Sequence, residues 1–98
     1  MRRLAGIPLR VIFDFKSEKE LLGLAVHDAV ALQEAMITLA QTGIGDVVPL
    51  TGSINHFRLR VGKARAEFYV KPQEQLLGIT RIFYRQEGYN TKGRSRRR

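Results

Sequence analysis

The stretch from His56 to Val70 limits what this chain can fold into more than any other part of it. Two runs, about His56–Val61 and Ala64–Val70, flank the dipeptide Gly62-Lys63, and in both runs side-chain character alternates. A period of two marks a strand with one buried face. Glycine first in a two-residue loop is the signature of a type II′ hairpin turn. That turn dictates the cross-strand pairs. Val61 meets Ala64, Leu59 meets Ala66 and Phe57 meets Phe68, which makes one face wholly apolar. The reverse face pairs Arg60 with Arg65, Arg58 with Glu67, and His56 with Tyr69. A slip of one residue would mix the two sets, so the clean division supports the register.

The remaining elements follow from periodicity. Ile7, Leu9, Val11, Phe13 and Phe15 alternate with polar positions, interrupted only by Ile12, and predict an N-terminal strand. Ser17 and Glu20 have the spacing of a capping box, which satisfies free amides at a helix start. Leu21, Leu22, Ala25, Ala29, Leu32, Met36, Leu39 and Ala40 then recur at helical spacing, as one helix or as two parted near Gly23 or His27. Gly43 and Gly45 end that region, and the Gly-rich segment from Thr42 to Ser53 is expected to be a loop. Lys71 to Gln75 is a polar turn. Leu76 to Tyr84, apolar on both sides except at Thr80 and Arg81, has the character of a central strand. The expected fold is α+β: an N-terminal strand, one or two helices, then an antiparallel three-stranded meander with the helices on one sheet face.

Composition narrows the setting. Ninety-eight residues with 44% hydrophobic content make one domain with a single core. That domain is expected to span 1–91, because residues 92–98 form a basic tail with nothing apolar to bury and an expectation of disorder. Absence of cysteine excludes disulfides and thiolate metal sites, and the two isolated histidines, His27 and His56, make a poor metal set. No metal or cofactor is therefore expected. No apolar run approaches the ~18 residues of a membrane span, and a cytoplasmic location is expected. The net charge of +8 is unevenly spread. Residues 4–55 carry three basic and six acidic side chains, whereas residues 56–91 carry seven basic and three acidic ones. Such a basic second half suits a polyanion, and equally suits a solvated surface.

Three segments together resemble the RelE/ParE family of bacterial toxins. Gly45-Asp46-Val47-Val48-Pro49-Leu50-Thr51-Gly52 looks like the family's G-x-x-x-x-L-x-G lead-in. Phe57 to Arg65 is similar to its [YF]-R-L-R-x-G-x-[YF]-R hairpin, and Tyr84-Arg85-Gln86-Glu87-Gly88-Tyr89 resembles its H-R-x-x-x-Y terminus. The resemblance implies a toxin held in check by a cognate antitoxin. Members similar to RelE cut messenger RNA on the ribosome, and members similar to ParE poison DNA gyrase without cleaving RNA. Fold alone does not choose between these targets, and a non-toxic nucleic-acid-binding relative is the third alternative.

Metal-free RNA cleavage needs a base for the 2′-hydroxyl, a cation for the phosphorane and an acid for the leaving 5′-oxygen. The resemblance assigns Arg58, Arg60, Arg65, Arg85 and Tyr89 to the active-site cluster. Arginine serves the phosphate, but it does not give up its proton, so a base must come from His56, Glu67 or Lys63. His56 shares the arginine face, and histidine is the residue type most often used as a general base. The departures are that Arg58 and Arg60 stand where relatives often carry lysine or an acid, and Tyr84 where they often carry histidine. A structural assignment fits several of these residues as well: Arg58 with Glu67 as an ordinary ion pair, His56 as an exposed side chain, and Tyr89 as a sheet-edge ring.

Overall fold

The computed structural model describes residues 2–4 and 6–86; the tail at 92–98, the expected domain limit at residue 91 and Tyr89 lie outside them. The hairpin forms as its alternation requires. Strands β5 (His56–Val61) and β6 (Ala64–Lys71) pair in the expected register at all six positions. Gly62 takes φ +58°, and Lys63 is not among the residues with positive φ, which is the type II′ pattern. Leu59, Ala64, Ala66 and Phe68 are fully buried, while Phe57 stacks on Phe68 with ring centroids 5.6 Å apart.

Strand β7 (Leu76–Tyr84) pairs antiparallel with β6 and completes the meander. A bulge lies between Glu67 and Phe68, where Thr80 of β7 has no opposite residue. Its hydroxyl donates to the Glu67 carbonyl at 3.2 Å. The extra residue reverses the parity of β7. Leu77 and Ile79 face the core before the bulge, Ile82 faces it afterwards, and Arg81 and Phe83 are thereby turned to the opposite face.

The sheet is larger than a meander. Strand β2 (Arg10–Phe13) joins it parallel to β7, and β4 (Val47–Pro49) joins antiparallel to β5, giving the order β2-β7-β6-β5-β4. A short β1 (Arg2–Arg3) pairs separately with β3 (Ile44–Gly45). Part of the expected loop at Thr42–Ser53 is therefore strand. Val47 is buried opposite Leu59, and this apolar contact outweighs the turn-forming composition around it.

Helices α1 (Phe15–Leu22) and α2 (Val26–Thr42) are separate and cover one face of the sheet. The break falls at Gly23–Ala25, and Gly43 closes α2 in the left-handed conformation at φ +79°. The cap of α1 differs from the expected Ser17–Glu20 box. Asp14 is the cap: its carboxylate accepts from the Ser17 amide at 2.7 Å, and Ser17 Oγ accepts from the Asp14 amide at 3.1 Å. The helix thus starts one turn earlier, which ends the first strand at Phe13 and leaves Phe15 on an exposed helix surface. Leu22 is also exposed, because the chain turns away at Gly23, and Leu24 packs on the core instead. Among the described residues no helix is long and apolar enough to cross a membrane.

Glu20, freed from capping, ties α1 to the sheet. β2 pairs only as far as Ile79, so the Ile82 amide reaches past its end and donates to Glu20 Oε1 at 2.9 Å. Burial alone would raise the pKa of this carboxyl, but the Ile82 amide and Lys16 outweigh burial and hold it below the ordinary 4.5. A depressed carboxylate pKa adds stability above the unfolded value, and that stability is lost as pH falls through the folded value. The melting temperature should therefore drop as the pH is lowered from about 5 to below 4. Glu20→Gln should melt lower at neutral pH and show a shallower drop in that acid window.

Candidate nucleic-acid interface

Because the helices occupy one side, the alternate residues of β5, β6 and β7 project from the other, where none of the described helices covers them. Register places Arg58, Glu67 and Arg81 in one row across three strands, with Arg60, Arg65 and Phe83 in the next. His56, Tyr69 and Gly78 make a third row. Arg58, Arg60, Arg65, His56 and Glu67 therefore share one face, as expected from the sequence. Arg85 follows directly on β7, its amide donating to the Lys63 carbonyl at 2.8 Å. Tyr89 falls beyond the described residues.

Like charges opposed in a sheet repel, and the chain offers each guanidinium an acceptor. Arg58 donates through Nε and Nη2 to Glu67 Oε2 at 3.2 and 2.6 Å, and Arg81 approaches the same oxygen at 3.8 Å. Arg60 turns outward to Asp46 Oδ1 at 3.2 and 2.8 Å. Arg65 folds back on the turn and donates to the Gly62 and Ala64 carbonyls at 2.8 and 2.9 Å. Arg60 and Arg65 thus part toward internal acceptors and do not clasp a common point. The positive field nevertheless converges on Arg65. Burial, followed by the charges of Arg85, Arg60 and Arg58, lowers its pKa, with Asp46 opposing. An anion beside Arg65 relieves that repulsion, and arginine forks suit phosphate oxygens.

Rings lie between the charges. Phe83 carries Arg81 at 4.0 Å and Arg58 at 5.6 Å from its centroid. Tyr69 lies against Gly78, where a β-carbon would collide with the phenol ring, and it meets His56 edge-on at a centroid distance of 6.4 Å. Lys71 approaches Tyr69 at 5.6 Å. Guanidinium groups interleaved with half-buried rings form the kind of surface that takes a single strand, with phosphates on the cations and bases on the rings.

Candidates for proton transfer are fewer than the sequence suggested. The Glu67 carboxylate is engaged by two arginines and serves chiefly to orient them. Lys63 sits over the Tyr84 ring at 5.0 Å and is drawn toward the helix side of the turn. Tyr84 itself is structural: its hydroxyl accepts from the Ala25 amide at 2.9 Å, the N-cap of α2, and donates to Asp28 Oδ2 at 2.7 Å. His56, half-buried beside Tyr69, is left as the base candidate on this face. Sequence reasoning missed Asp46, Arg81 and Phe83. Asp46 was hidden in an apparent loop, and the other two in the parity change at Thr80.

Two helices packed on one face of a mixed five-stranded sheet make a fold that this chain shares with solved RelE toxins. The chain is similar to the RelBE2 toxin–antitoxin complex from Mycobacterium tuberculosis at TM-score 0.72 and 19% identity, covering 89% of this chain and all of that one. It is similar to the isolated E. coli RelE toxin at TM-score 0.70 and 14% identity, over 83% of this chain and 88% of that one. The archaeal RelE–RelB complex from Pyrococcus horikoshii gives 0.70 and 21%, over 86% of this chain and 100% of that one. No protein-family model and no curated protein sequence matches the chain.

Tyr84→Phe should cost about 1 kcal/mol in urea unfolding, since it strips two hydrogen bonds from the start of α2. The arginine face should stay unchanged by NMR. A shift of the Arg58 or Arg65 side-chain signals would instead show that Tyr84 belongs to that site.

Proposed function

We propose that this chain is the toxin of a type II toxin–antitoxin pair and acts as a ribosome-dependent, metal-independent endonuclease of messenger RNA. The observation that carries this reading is the sheet face opposite the helices, on which Arg58, Arg60, Arg65, His56 and two stackable rings are gathered. In this mechanism the arginines, with Arg85, hold the scissile phosphate and stabilise the charge that develops on its oxygens. His56 takes the proton of the 2′-hydroxyl, whose oxygen attacks phosphorus as the bond to the 5′-oxygen breaks. The products are a 2′,3′-cyclic phosphate and a 5′-hydroxyl, the latter protonated by an acid for which Tyr89 is the candidate. Tyr69 and Phe83 stack the flanking bases. Solved RelE–RelB complexes among the structural neighbours support an antitoxin partner, expected to lay an acidic segment over the arginine face.

A second reading has one observation in its favour. Glu67 and Asp46 already pair with Arg58 and Arg60, so the face also suits a protein surface such as that of DNA gyrase, with no hydrolysis. Induction in cells separates the two. The nuclease reading expects growth arrest with cuts inside translated messages. Arg65→Ala should lower cleavage about 100- to 1,000-fold. His56→Ala should lower it at least about 100-fold, and both variants should melt near the parent temperature. Growth arrest with intact messages and an SOS response would establish the gyrase reading.

A further inference from the structure

At one edge of the sheet, β2 lies beside β7 and, among the described residues, pairs with nothing on its other side. The Arg10 amide donates to the Gln75 carbonyl at 2.7 Å, which fixes the phase of the parallel ladder. Arg10 and Ile12 direct their backbone groups to β7, so Val11 and Phe13 direct theirs outward. Beside this edge runs a largely apolar groove of about 450 Å³, lined by Val11, Phe13, Val30, Met36 and Ile37, with Gln33 and Glu34 as its polar members. It is continued along α2 by the exposed Val26, Val30 and Ile37 at helical spacing. Bare edges and apolar grooves invite association, and soluble chains usually blunt them.

We propose that β2 is the contact strand of a symmetric dimer of this chain, in which two copies pair β2 against β2 antiparallel about Ile12. The side chains of the strand are self-complementary in that one register. With Ile12 on the two-fold axis, the outward backbone groups of Val11 meet those of Phe13 in the second copy, and the reciprocal pair completes four hydrogen bonds. Ile12, 39% exposed on the outer face, meets Ile12 of the second copy. Arg10 meets Asp14 of the second copy, a pair of opposite charges on each side of the axis. Asp14 has the extended backbone this needs, at φ −88° and ψ 176°. A register shifted by two residues puts Val11 or Phe13 on the axis and sets Ile12 against Arg10 or Asp14 of the second copy, and one shifted by four brings Arg10 against Arg10 or Asp14 against Asp14. An axis normal to the sheet leaves both helix layers on the same side and brings the two α2 stripes toward each other over the joined grooves. The arginine faces of both copies remain open on the far side, so this inference is independent of the nuclease reading.

The chain contains no cysteine, which allows a direct test on the full-length protein. A non-hydrogen-bonded antiparallel pair brings opposed Cα atoms to about 4.5 Å, within disulfide reach. Ile12→Cys should form a disulfide dimer rapidly under mild oxidation. Ile54→Cys, at a position 92% exposed and far along the sheet, should remain largely monomeric. Ultracentrifugation should find the parent chain dimeric at about 100 µM, with Ile12→Lys weakening the dimer at least about tenfold at an unchanged melting temperature. A parent chain monomeric at that concentration overturns the proposal, as does equal cross-linking of both cysteine variants. Protection of the Val11 and Phe13 amides only on addition of an antitoxin also overturns it, because the edge then belongs to a different partner.

Discussion

The turn at Gly62–Lys63 sets the register of β5 against β6, and register decides which residues reach the core and which reach the surface. Because side chains alternate, a single-residue slip would turn one strand over, carrying Arg58 and Arg60 beneath the helices and expelling Leu59, or carrying Arg65 and Glu67 there and expelling Ala66 and Phe68. Burying guanidinium groups without partners is prohibitive, so the apolar and cationic halves of the hairpin enforce the same solution from opposite sides. The core and the candidate site are consequently two faces of one ribbon. Whatever stabilises Phe68 also positions Arg58 and Arg65.

Concentrating cations on a sheet surface has a cost that the chain offsets locally. Glu67 is held between Arg58 and Arg81, Asp46 takes Arg60, and the turn carbonyls take Arg65. These contacts are exposed or half-exposed, so each contributes little to stability on its own. Their effect is geometric: they spread the guanidinium groups over the face and hold them apart. A phosphate arriving at this surface competes with carboxylates and carbonyls that are already in place. Affinity for a polyanion is thus tuned by Asp46 and Glu67 as much as by the arginines.

The sequence made the central hairpin legible down to its pairs, because a strict alternation and a Gly-first turn leave only one register. The helical span and its glycine stop at Gly43 were legible from periodicity, whereas periodicity leaves open whether that span is one helix or two. Other features depend on tertiary context. The parity change in β7 arises from one unpaired residue, Thr80, and no local signal separates it from a strand buried on both sides. Strand β4 is short and embedded among turn residues, and only its pairing with Leu59 makes it a strand. Asp14 displaced Ser17 as the cap because two adjacent readings of the same segment, strand and helix, compete for Phe15. Tyr84 could be placed on a strand from sequence, but its partnership with Ala25 and Asp28 spans more than fifty residues.

The most direct test of this account is the hairpin register in solution. Alternate pairs of β5 and β6 are of the close, non-hydrogen-bonded kind, and Arg60, whose amide donates to Asp46, belongs to that set. Nuclear Overhauser contacts between α-protons should therefore join Arg60 to Arg65 and Arg58 to Glu67. Contacts joining Arg60 to Ala66 or Arg58 to Phe68 would place the arginines on the helix side and contradict the division of the sheet from which the site is built.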